Sequence, residues 1–113
     1  MNLNEYYAYL SAQKENQIRN AEMLKKTDRT DEANLAKVRA NIYDVCETVC
    51  KVHMKRPEGG TNAYKGQLDK FRVLWSAERE RATQHGNTEK AAIEDIKLET
   101  LEDAACKFGE VEP

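Results

Sequence analysis

The chain is short of the residues that interrupt helices: its 113 positions hold only five glycines and two prolines. That scarcity excludes a collagen-like or low-complexity chain. Cysteine is sparse and odd in number, with Cys46, Cys50 and Cys106 unable to close into a complete set of intrachain pairs. No run of about 18 apolar residues occurs, so no segment reads as a membrane span. Asn-Gly and Asp-Gly turns are absent, as is any sustained apolar–polar alternation, so a sheet is not expected. The opening Met-Asn-Leu-Asn-Glu has neither the basic start nor the apolar stretch of a secretion signal. The expectation is a cytoplasmic chain with three reduced thiols.

The signatures of several chemistries are missing as well. There is no phosphate-binding Gly-rich loop and no dinucleotide fingerprint. Glu-x-x-His, which lets helical bundles hold two metal ions, does not occur. No motif points to a particular family. Adjacent carboxylates such as Glu94-Asp95 and Glu102-Asp103 point apart on a helix and read as solvated charges. A net charge of -2 gives no general attraction to nucleic acid or anionic lipid. The charge is unevenly spread, however. Residues 87–113 carry eight acidic groups against three basic ones, which raises the alternative of an acidic-surface adaptor or inhibitor.

What is present is helical periodicity. Asn2 with Glu5 forms a capping box for a first helix over Asn2 to Lys26, with Leu3, Tyr6, Tyr7, Leu10, Ile18, Ala21 and Leu24 as its apolar positions. The stripe lapses across Thr27 to Asp31, where a turn is expected with Asp28 or Thr30 as the next N-cap. In the second helix Leu35, Val38, Ile42, Val45, Val49 and Val52 recur at alternating spacings of three and four, the signature of one buried face. Ile42, Cys46, Cys50 and His53 widen that face. Arg56 to Thr61, with Pro57, Gly59 and Gly60, is the strongest break. A third helix follows from Asn62 to His85 with Tyr64, Leu68, Phe71, Leu74, Trp75 and Ala82 inward. Gly86 ends it and Thr88 caps a fourth helix over Glu89 to Lys107, with Ile93, Ile96, Leu101, Ala104, Ala105 and Phe108 inward.

The fold expected is all-α: an up-down-up-down bundle of four antiparallel helices, or three if the first pair is continuous. Residues 1–109 make one domain and 110–113 an acidic C-terminal tail. The function expected is that of a small non-enzymatic interaction or regulatory module, with no catalytic residues and no cofactor. Cys46, Cys50 and His53 lie along one helical edge and are the candidate metal ligands, giving a metal- or small-molecule-binding alternative, although buried core cysteines are the simpler reading. Tyrosine is enriched at interfaces, so Tyr6, Tyr7 and Tyr9, with Ile42 and Tyr43, are the interface candidates. A homodimer in contact through the first two helices is expected, with a protein partner as the other possibility; nucleic acid is not, for want of a basic groove.

Overall fold

The computed structural model describes residues 1–55 and 60–111. Four helices account for nearly all of them: α1 (Leu3–Lys26), α2 (Thr30–Met54), α3 (Gly60–Gln84) and α4 (Thr88–Phe108). The first two are separate helices. None among the described residues is long and apolar enough to cross a membrane. The Arg56–Gly59 part of the expected break lies outside the described residues.

The capping box at Asn2 and Glu5 forms as its spacing implies, with the Glu5 amide donating to Asn2 Oδ1 at 2.8 Å and the Asn2 amide to Glu5 Oε1 at 3.1 Å. Both tight turns use one device. At the end of α1, the Arg29 amide donates to the Leu24 carbonyl (2.9 Å) and the Asp28 amide to that of Lys25 (3.3 Å). At the end of α3, Asn87 and Gly86 make the corresponding bonds to Ala82 and Thr83. This paired closure requires a left-handed residue at its corner. Gly86 takes it at φ 70° and Asp28 at φ 59°. Asp28 is therefore the corner of the turn and not an N-cap. Arg29 stands in the cap position of α2 without a side-chain capping bond, and Asn87, one residue before the expected Thr88, caps α4. Turns this short force α1 against α2 and α3 against α4 in antiparallel pairs.

The two hairpins do not assemble as a square. α2 touches all three other helices, α1 and α4 meet only slightly, and α2 and α4 run in the same direction along the short diagonal. The result is flattened, 45 × 34 × 20 Å, with a radius of gyration of 15.2 Å. A compact chain of this length would have about 13 Å.

The core sits at the end where α1 and α3 begin. Tyr6, Tyr64 and Phe108 form a three-ring cluster from α1, α3 and α4, with ring centroids 4.9–5.8 Å apart. Leu10, Cys46, Cys50, Leu68, Leu101 and Ala104 pack with them. The buried face of α2 is not the valine stripe. It is Ala33, Ala36, Ala40, Tyr43, Cys46 and Cys50, with Ile42 alongside. Val45 and Val49 are half-buried, and Val52 is 52% exposed. Small side chains let helix axes approach more closely than valines do, and α1 lies over the alanines. In α3 the expected inward residues Tyr64, Leu68, Trp75 and Ala82 are buried, but Leu74 is 55% exposed beside Val73 at 72%. Of the expected acidic tail, Glu110 pairs with Lys107 and Val111 packs on the core, while Glu112 and Pro113 lie outside the described residues.

Candidate functional site

The tyrosines near the N-terminus are ties within the fold. Tyr6 Oη donates to the Ala104 carbonyl at 3.0 Å and lies 2.7 Å from Tyr64 Oη. Tyr9 and Tyr43 both donate to Asp103 Oδ2, at 2.7 and 2.6 Å. Tyr7 donates to Glu47 Oε1 at 3.2 Å, and Lys14 braces the same carboxylate at 3.2 Å. Of the five interface candidates, Tyr6, Ile42 and Tyr43 are buried inside the chain, and only Tyr7 and Tyr9 are part-exposed. Helical position explains it. The face of α1 that meets the other helices is centred on Tyr6 and Leu10, which carries Tyr7 to its flank.

The candidate metal ligands do not converge. Among the described residues no group of three His, Cys, Asp or Glu side chains could hold an ion. Cys46 and Cys50 are buried, and burial pushes their thiols up to about 12 and about 11. Such thiols stay protonated at neutral pH, the opposite of what a thiolate ligand or nucleophile needs. Only Cys106 is exposed. His53 is half-buried beside Tyr64, and its Nδ1 has no hydrogen-bond partner among the described residues.

These shifts make a testable statement about alkali. Thiols ionise near 9.0 in the unfolded chain but not until about 11 or 12 in the fold. Burial likewise raises the Tyr6, Tyr43 and Tyr64 phenols above their ordinary 10.0. Above pH 9 the folded state therefore holds more protons than the unfolded one, and stability falls as pH rises. The contribution is complete below pH 9 and is lost as pH climbs through 11 and 12. Urea midpoints measured from pH 8 to pH 11 should decline steadily; a flat profile would contradict the burial of these groups.

The acidic C-terminal quarter is largely engaged inside the molecule. Asp95 pairs with Arg79 and Glu102 with Arg72, both across the α3–α4 hairpin. Asp103 accepts the two tyrosines. Glu94 is not a solvated charge: it is 3% exposed, with Lys97 at 3.1 Å and Lys90 at 3.8 Å from Oε1. No family model, curated protein or solved structure matches this chain.

A surface cleft lies over the first half of α2; a larger groove, of about 580 Å³, lies between α1 and α2 beside Ile18 and Lys37. α1 and α4 are tied together at the core end by Tyr6 and Tyr9, and they part toward the turns. The first half of α2 is left as the floor between them. Leu35, Val38, Ala92 and Ile93 line a groove of about 380 Å³ between α2 and α4, rimmed by Asp31 and Glu89. Leu35 also lines a second groove, between α1 and α2, with Leu24, Arg29 and Arg39. Leu35 and Val38 are half-exposed here because no helix crosses above them. Arg29 is neutralised by Glu32 one turn away, whereas Asp31 and Arg39 make no ion pair among the described residues. Leu35 and Val38, expected in the core stripe, are half-exposed at the surface instead, and Asp31 and Arg39 are not among the expected site residues. The available signal was the four-residue spacing of Asp31, Leu35 and Arg39, which puts opposite charges on one helical row about a leucine.

Proposed function

We propose that the protein works by binding, as a self-associating helical module, and not by catalysing a reaction. The observation that carries this reading is the amount of surface left uncovered. The chain exposes 7204 Å². A compact monomer of 13.0 kDa exposes roughly 6,300 Å². The excess, about 900 Å², is close to the ~800 Å² that each partner contributes to a standard protein interface. Two-fold pairing is the commonest way for one chain to cover such a surface with itself.

Other features support binding over catalysis. The buried thiols are held protonated, and the buried carboxylate of Glu94 is neutralised by lysines. The tyrosines that could have stacked on nucleic acid bases are mostly folded inward or tied to carboxylates. Free thiols suit a reducing compartment, which favours the cytoplasm. Light scattering after size exclusion tests the reading. At micromolar concentration the mass should be twice the 13.0 kDa of the chain. The chain mass at every concentration would overturn self-association.

A further inference from the structure

The cleft over α2 has a polarity that suits a second copy of this chain. Asp31, Leu35 and Arg39 form an i, i+4, i+8 row along α2, rising about 6 Å at each step. Such rows form ridges of side chains along the helix surface, inclined to its axis. When two copies of one ridge meet about a two-fold axis with opposed directions, each residue meets the one equally far on the other side of the axis. With the axis at Leu35, Asp31 of each copy faces Arg39 of the other. Two ion pairs form by symmetry, from the two charges in this row that have no ion-pair partner within the described chain. A same-direction arrangement would set Asp31 against Asp31 and Arg39 against Arg39.

We propose that a second copy of the chain docks on this cleft, with the two α2 helices crossing in opposed directions at Leu35 and an Asp31–Arg39 pair on each side. This rests on the self-association reading above and gives it a surface. Leu35 and Val38, with Leu24 and Ile93 on the flanks, supply the apolar contact. The whole-chain excess of about 900 Å² over a compact monomer is of the size that one partner of a stable dimer buries. Val73 and Leu74, exposed on α3, lie by a like row, Lys70–Leu74–Glu78, but there Glu78 is already paired with Arg81, whereas both charges beside Leu35 are unpaired among the described residues.

Charge exchange tests the geometry. Arg39→Asp places Asp against Asp at both pairs, and Asp31→Arg places Arg against Arg. Each variant alone should dimerise at least about tenfold more weakly than the wild type. Mixed in equal amounts, they should form a heterodimer, because one chain then carries Arg at both positions and the other Asp at both. Its affinity should return to within a few-fold of wild type. Circular dichroism confirms that each variant is folded, and recovery on mixing independently excludes unfolding as the cause of the weakening. Leu74→Ser serves as the control and should leave the dimer intact. A wild-type chain that never dimerises overturns the self-association reading itself. A wild-type dimer that ignores both charge variants, shows no preference on mixing, or is dispersed by Leu74→Ser overturns this surface alone.

Discussion

Tyr6→Ala is expected to lower stability by about 3–5 kcal/mol, the range for removing a large buried ring. Tyr6 is fully buried and touches the rings of Tyr64 and Phe108, so one side chain joins α1 to both helices of the second hairpin. Its hydroxyl allows a finer test. Tyr6 Oη donates to the Ala104 carbonyl, so in the 2.7 Å contact with Tyr64 it must accept. Tyr6→Phe therefore takes the oxygen acceptor from the buried Tyr64 hydroxyl, leaving it only the weaker Cys46 sulfur, and should cost about 1–3 kcal/mol. Tyr64→Phe leaves Tyr6 its bond to Ala104 and should cost less. Urea unfolding of the two variants decides the donor order: equal costs, or a larger cost at Tyr64, would contradict it.

Trp75→Ala should be comparably damaging, at about 3–5 kcal/mol. Trp75 is buried, stacked against Phe71 with the ring planes 3° apart, and capped by Lys97 4.8 Å above its ring. The neighbouring leucine gives the contrast. Leu74 is more than half exposed, so Leu74→Ser should change stability by no more than about 0.5 kcal/mol. Tryptophan emission reports the same rotation without a mutation, since this is the chain's one Trp. It should be blue-shifted and poorly quenched by acrylamide. Red, fully quenchable emission, or a Leu74→Ser variant as damaged as Trp75→Ala, would mean that α3 is turned from the orientation described here.

Much of the architecture was legible before any tertiary contact was known. The capping box at Asn2, the lapse of the stripe after Leu24 and the glycine at Gly86 are local signals, and each acts within a turn of where it is read. The inward positions of α3 came out correctly except at Leu74, because a wide apolar stripe leaves the centre of the buried face open by one residue. α2 misled for a related reason. Periodicity ranks residues by apolarity, so the valines stood out, while Ala33, Ala36 and Ala40 carried little weight despite equally regular spacing. The tyrosines are ambiguous in another way: an aromatic ring with a hydroxyl suits an interface and a hydrogen-bonded core alike, and only the positions of Ala104, Asp103 and Tyr64 show that Tyr6 and Tyr43 are buried.

The sequence by itself determined that this protein is a set of antiparallel helices joined by short turns, while leaving open whether the first two are continuous. Those outcomes depend on backbone conformation at a few corners and on period, which are properties of neighbouring residues. Only the tertiary structure decided which face of each helix is inside, and that α2 and α4 meet along the diagonal while α1 and α4 part. These depend on how closely two axes approach, which is set by the sizes of side chains far apart in the chain. The cleft at Leu35 follows from that parting. So does the exposure of Asp31 and Arg39 beside it, which no local pattern could have revealed as a surface.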